Sequence, residues 1–366
     1  DGTGNILVET VGDDTSITVG ADIVSGGGSI SLLSAAGIIM TAEADVTTVG
    51  NGSIDVYAAV GDITLSTDSD QTANNGDIRL EAAGNVLLGG TATTEGTVSI
   101  IAQTGWIRDG DTDSSVDIQA AEARLNGAVG VGQLGELVNA IETSVARVSA
   151  SSAAEGINIT EADDVQVTDT SALVHRVGRD GVVADVADAV QSDLVTVAES
   201  SGSIVLRTIS GAIMLEDGSA PDDNISVNAD GSGNVLIVAG NDSLAVNSDV
   251  FGDSGNVSLI AESDIVISDS VQVSTGGTAT LDLLSHAGKL VLQGSGAVVG
   301  DSGDIRMQAQ LDVELGGYAQ TNAAVSVISV AGSVLDGDQD GGVYVLANDL
   351  RLDVHFGIGF LVYGCN

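Results

Sequence analysis

The chain has 366 residues, and its 52 Asp and Glu against 10 Lys and Arg leave a net charge of −42. That balance excludes a phosphate-neutralising nucleic-acid binder and a protein held by anionic lipid, while 43% apolar content excludes a disordered chain. One Cys rules out an intrachain disulfide, and no segment approaches the ~20 apolar residues that span a bilayer.

The opening, Asp1-Gly2-Thr3-Gly4, has neither Met nor a signal-type region and reads as a mature or excised piece of a longer protein. A strand phrase follows at once. Gly4-Asn5-Ile6-Leu7-Val8, Gly28-Ser29-Ile30-Ser31-Leu32, Gly52-Ser53-Ile54-Asp55-Val56 and Gly76-Asp77-Ile78-Arg79-Leu80 open on evenly spaced glycines, and Gly96-Thr97-Val98-Ser99-Ile100 follows after a slightly shorter step. A second phrase interleaves with it: Gly37-Ile38-Ile39-Met40, Gly61-Asp62-Ile63-Thr64-Leu65, Gly84-Asn85-Val86-Leu87-Leu88 and Gly105-Trp106-Ile107. Weaker strands such as Ala44-Asp45-Val46-Thr47 fill the remaining third. Each unit of about 20–24 residues thus holds three short strands of period-2 alternation between Gly, Asn and Asp turns, which predicts one coil of a three-faced β-solenoid. Inward positions carry Ile, Leu, Val and Ala, while Ser, Thr, Asn and Asp are expected outside, and Gly is expected at corners that need positive φ.

Two stretches break the strand pattern. Leu134, Leu137, Val138 and Ile141, and then Val183, Val186, Val190 and Leu194, have helical spacing and predict a short helix, a protruding loop or a distorted coil. Beyond them the chain begins to repeat itself at a longer period. Gly76-Asp77-Ile78-Arg79-Leu80 returns at a shift of 227 as Gly303-Asp304-Ile305-Arg306-Met307, and Gly105–Gly132 aligns without a gap on Gly332–Gly359 with 11 of 28 positions identical. The predicted organisation is a module over residues 1–227 and the start of a second copy over 228–366, continuous with the first.

The succession Asp109-Gly110-Asp111-Thr112-Asp113, Arg124-Leu125, Gly130-Val131-Gly132, Ile141-Glu142-Thr143-Ser144-Val145 and Gly156-Ile157-Asn158-Ile159-Thr160-Glu161-Ala162-Asp163 resembles the module phrase of filamentous-haemagglutinin-like β-strand-repeat surface proteins of bacteria. The resemblance implies a right-handed parallel β-helix on an exported protein of the cell surface. It implies adhesive or structural work without catalysis, on surface or matrix glycans and proteins. No Arg-Gly-Asp tripeptide is present.

Candidate chemistry is sparse. Asp109, Asp111 and Asp113, echoed as Asp336, Asp338 and Asp340, place carboxylates at alternate positions of tight Gly-containing turns, the donor set that Ca²⁺ takes. Position twelve of a calcium loop is Ala120 or Ala347, where a bidentate Glu belongs, so the same residues also read as solvated turns. His175, His286 and His355 are far apart and argue against zinc or a His-based triad. Acidic pairs Asp13-Asp14, Asp163-Asp164 and Asp222-Asp223 keep a polysaccharide-degrading β-helix open as an alternative, although Lys289 is the one lysine available to receive an acidic sugar. Phe356, Phe360 and Tyr363 beside Cys365 suggest a cap over the last coil, or a sticky end for a copy of the chain in a filament, sheath or surface layer.

Overall fold

The computed structural model describes residues 2, 4–111, 113–135, 137–197, 201–338, 342–359 and 362–364. Two compact units result: residues 1–162 with 169–192, and residues 163–168 with 193–366. This division falls elsewhere than the boundary of the sequence period at residue 227.

Both units are parallel β-solenoids. In the first, one face is the ladder Ile6–Glu9, Ile30–Ser34, Ile54–Ala58, Ile78–Ala82 and Thr97–Ala102, carried on by the later parts of Ile118–Gly127 and Ile141–Ser152. A second face stacks Ile17–Val19, Ile38–Met40, Ile63–Leu65, Val86–Leu88 and Trp106–Asp109, and a third stacks Ile23–Ser25, Val46–Thr48, Gln71–Ala73 and Ala92–Thr93. The second unit repeats the plan, its first face being Ser203–Thr208, Val235–Ala239, Val257–Ala261, Leu281–Ser285, Ile305–Ala309, Ala324–Ser329 and Asp349–Val354. Register keeps Ile6, Ile30, Ile54 and Ile78 in one column. A β-branched side chain there meets its like above and below, so Ile30, Ile54 and Ile78 are fully buried and the coils share one core. The expected parallel β-helix is therefore what the chain forms. Its coils are less uniform than the sequence phrases predict: the steps from Val98 to its partner Ala123 and from Ile204 to Val235 are both longer than the step from Ile30 to Ile54.

Why glycine opens each phrase differs from the expectation. None of Gly28, Gly52, Gly76, Gly233 or Gly255 has a positive φ. What forbids a side chain is the neighbouring coil: a Cβ on Gly76 would lie 2.1 Å from the carbonyl oxygen of Gly52, and one on Gly255 1.8 Å from that of Gly233. Positive φ is taken at other glycines, as expected of corners, among them Gly50, Gly231 and Gly277, and also by Asp14, Asp68, Asn224 and Asn241, residue types that tolerate the left-handed region.

Next to each glycine sits a side chain that ties coil to coil. Asn5 Oδ1 accepts the Ser29 amide at 3.0 Å, Asp62 Oδ1 that of Asn85 at 2.6 Å, Asp77 Oδ1 that of Thr97 at 2.8 Å, and Asn256 Oδ1 that of Thr280 at 2.8 Å. Polar residues are not confined to the outside. Thr48, Thr94, Thr275 and Thr321 are buried at corners, where their hydroxyls donate to the carbonyls of Gly28, Gly76, Gly255 and Gly303 at 2.6–2.7 Å. A buried carbonyl left without a donor costs more than the hydroxyl's burial, so Thr replaces an aliphatic residue there.

Of the two stretches with helical spacing, the first is a single 3-10 turn, Leu137–Asn139. The second is one arm, Val183–Ala187, of an antiparallel hairpin with Leu173–Val177. Its valines recur at helical intervals by coincidence of the turn spacing. Gly76→Ala is expected to lower stability by about 1–3 kcal/mol, because the backbone it would strike cannot step aside, whereas Gly20→Ala, with nothing within 4 Å, stays within about 0.5 kcal/mol. Urea unfolding of the two variants checks the contrast.

Candidate functional site

The hairpin is a strap laid over the first face of the first unit. Between Thr170 and Gln191 it runs against the outward residues Ser31, Asp55, Arg79, Ser99, Arg124 and Ser149, each of which is buried. The strap amides of Leu173, His175 and Val177 donate to Asp77 Oδ2 at 2.7 Å, Ser53 Oγ at 2.7 Å and Ser31 Oγ at 2.9 Å. Arg176 Nη2 donates to Asp55 Oδ1 at 3.2 Å while its guanidinium lies 5.0 Å from the Tyr57 ring. Asp188 accepts from Arg79 Nε at 3.0 Å and from Ser99 Oγ at 2.7 Å, and the Ala189 carbonyl accepts from Arg124 Nε at 3.0 Å. At its tip Arg179 pairs with Glu9 at 2.7 Å, holding that carboxyl below its usual range.

Burial works against the charge on Arg79, but the Asp188 and Glu81 carboxylates outweigh it and hold the guanidinium above its ordinary value. Arg124, with burial dominant, is pushed down. An uncompensated charge in such a place is strongly unfavourable, so the strap and the face specify each other residue by residue. Six of the chain's 10 basic residues, Arg79, Arg124, Arg176, Arg179, Arg306 and Arg351, belong to the strap, to this face or to its repeat. That concentration, in a chain of −42, is the signal by which sequence reasoning could have found the site and did not.

The described residues expected to ligate calcium lie in turns. Asp109, Asp111 and Asp113 form successive turns in which each carboxylate caps a nearby amide: Asp109 Oδ1 accepts from Asp111 N at 2.9 Å, Asp111 Oδ1 from Asp113 N at 3.2 Å, and Asp113 Oδ1 from Ser115 N at 2.6 Å. Asp336 and Asp338 both face the Tyr344 hydroxyl, at 2.8 and 2.6 Å. Asp340 lies outside the described residues. Among the described residues, no group of three or more His, Cys, Asp or Glu is arranged to hold a metal ion.

Behind the first turn lies an acid pair that sequence reasoning missed. Asp117 is buried with its Oδ2 accepting the Glu142 amide at 3.0 Å, and burial pushes its carboxyl up to about 9. Glu142 is raised to about 7, again mainly by burial, with Asp109 and Asp111 adding repulsion. The shift of 227 puts Tyr344 in the place of Asp117.

His175 meets Asp185 at 2.8 Å within the strap, and His355 packs its ring edge on Phe356 at 4.5 Å. In the acidic pairs, Asp164 Oδ1 caps the Ala212 amide at 2.8 Å and Asp223 Oδ1 that of Ile225 at 3.1 Å. Lys289 is held by Glu314 at 2.7 Å. Phe356 is 75% exposed; Phe360, Cys365 and the side chain of Tyr363 lie outside the described residues. No helix of the described chain is long and apolar enough to cross a membrane. In comparisons with protein-family models, curated proteins and solved structures, nothing matches this chain.

Asp188→Ala is expected to weaken strap docking by about 1–3 kcal/mol, because Arg79 Nε and Ser99 Oγ lose their acceptor under cover while Glu81 still compensates the guanidinium charge. Hydrogen exchange at the Val177 and His175 amides then speeds up while the Ile54 amide keeps its protection. For the acid pair, both folded values lie above the ordinary ones of 3.8 and 4.5, so the folded chain holds protons that the unfolded chain has released. Stability is therefore full below about pH 4 as far as this pair is concerned, and is lost as pH rises through about 7 toward 9. Asp117→Asn should flatten that decline in unfolding midpoints measured across the same window.

Proposed function

We propose that the chain is a non-catalytic structural and adhesive segment of an exported bacterial surface protein, working through its solenoid surface. The observation that carries this reading is the use to which the acids are put. Asp22, Asp45 and Asp70 each cap the amide of the next coil, at 3.2, 3.0 and 2.9 Å, and Asp264, Asp304 and Asp312 do so at 2.7, 3.1 and 2.9 Å. Carboxylates committed to stacking serve a scaffold, whereas a glycosidase would need two of them free on opposite sides of a sugar. Attachment would rest on weak contacts repeated from coil to coil, so that avidity replaces affinity. Cations, calcium included, would act by screening the repulsion of a −42 surface.

Beads coated with the chain at falling density and offered to cell-surface or matrix glycans test the reading. Binding should drop more steeply than density, rise with millimolar calcium, and release no new reducing ends. Reducing ends released from any polysaccharide would move the protein to the β-helix enzymes.

A further inference from the structure

The ladder under the strap occurs twice in the chain. A shift of 227 carries Ser53, Asp55, Asp77, Arg79, Ser99 and Arg124 onto Thr280, Asp282, Asp304, Arg306, Ser326 and Arg351, with every donor or acceptor conserved in kind. All six members of the first set bond to the strap. All six members of the second line an open groove of about 410 Å³ on the second unit.

The two ladders differ in exposure and in pairing, Arg351 for its part turning to Asp353 at 2.8 Å. Arg79 and Asp55 side chains are 6% and 0% exposed under cover, whereas Arg306 and Asp282 are 41% and 38% exposed. Without a strap carboxylate, Arg306 Nη1 turns back onto Asp282 Oδ1 at 3.0 Å. Ser99 Oγ donates to Asp188, but Ser326 Oγ, shielded from solvent, has no hydrogen-bond partner among the described residues. Asp304 Oδ1 caps the Ala324 amide at 3.1 Å as Asp77 Oδ1 caps that of Thr97 at 2.8 Å. Burial patterns record the same difference. Strands Ile54–Ala58 and Ile78–Ala82 have buried outward residues at their second positions, and Leu281–Ser285 and Ile305–Ala309 do not.

We infer that this face of the second unit is a docking groove for a β-hairpin with the pattern of residues 170–191: an Arg where Arg176 stands, to take Asp282, and an Asp where Asp188 stands, to take Arg306 and Ser326. Its backbone amides would meet Thr280 and Asp304, and a carbonyl would meet Arg351. The strap contact at Tyr57 has no counterpart, since Leu284 replaces it, and beside the arginine Gln308 stands in place of Glu81. The hairpin is thus recognised through its Arg and Asp and its backbone rather than through cation–π contact.

The test uses the intact chain and a fluorescent peptide of residues 169–192, cyclised so that the hairpin is formed before binding. Saturable binding is expected, weakened about 30-fold or more by Asp282→Ala or Arg306→Ala in the chain, since each leaves a charge unpaired. Circular dichroism and melting of these variants confirm that the solenoid is intact. The paired exchange, Asp282→Arg in the chain with Arg176→Asp in the peptide, should recover part of the loss. Absence of binding, or binding that both chain variants leave unchanged, overturns the proposal. Self-association of the chain that the peptide does not compete would also overturn it, by showing that a second copy covers the groove through another surface.

Discussion

Every coil brings its backbone to strand spacing from the one before, and each amide on that seam must find an oxygen. Glycine follows from the first demand, since a Cβ on Gly28 would sit 2.3 Å from the Gly4 carbonyl oxygen. Asp and Asn follow from the second, accepting the amide of the equivalent residue one coil on. Asn5, Asn85, Asn234 and Asn256 do this as well as Asp62, Asp77 and Asp264. The geometry thus asks for an oxygen and not for a charge. What the chain adds by using Asp so often is anionic surface, which keeps long stacks apart and makes them responsive to salt.

On this acidic scaffold the basic residues stand out by position. A buried Arg or Asp is tolerated only where its partner is fixed, and on the first unit the strap supplies that partner in register: Arg176 to Asp55, Asp188 to Arg79 and Ser99. Side-chain complementarity of this kind contributes specificity more than net stability, because two desolvated charges gain little over two well-packed apolar groups. It explains why a hairpin that leaves Val182 and Leu173 64% and 43% exposed lies on this face. The same constraint makes the repeated ladder on the second unit an address for a hairpin of matching charge.

Burial acts differently on Asp117 and Glu142. Among the described residues no Lys or Arg compensates them, so burial raises both and a proton takes the place of a cation. In the repeat, Tyr344 stands at the position of Asp117 and its hydroxyl meets Asp336 and Asp338 directly. A phenol does permanently what a protonated acid does below its pKa, which makes the first copy of this corner sensitive to pH.

The stacked fold was legible because its cause is local and repeated: Gly-x-Ile-x-Leu, returning at a nearly constant step, encodes a turn, a seam and an inward column each time it occurs. Wherever a property depends on one coil alone, or on its likeness to the next, the residues sufficed. They did not suffice for the strap. Its valines mimic helical spacing, and its partners lie at separations such as 121 for Arg176 and Asp55 or 109 for Arg79 and Asp188. Nor did the sequence suffice for Asp109, Asp111 and Asp113, where only the structure shows which amide each carboxylate caps. Sequence by itself therefore determined the solenoid and the repeat of its outward ladder, since both are written in periodic local contacts. Only the tertiary structure decided which ladder is covered and which charges are buried, because those depend on where a single aperiodic segment comes to rest.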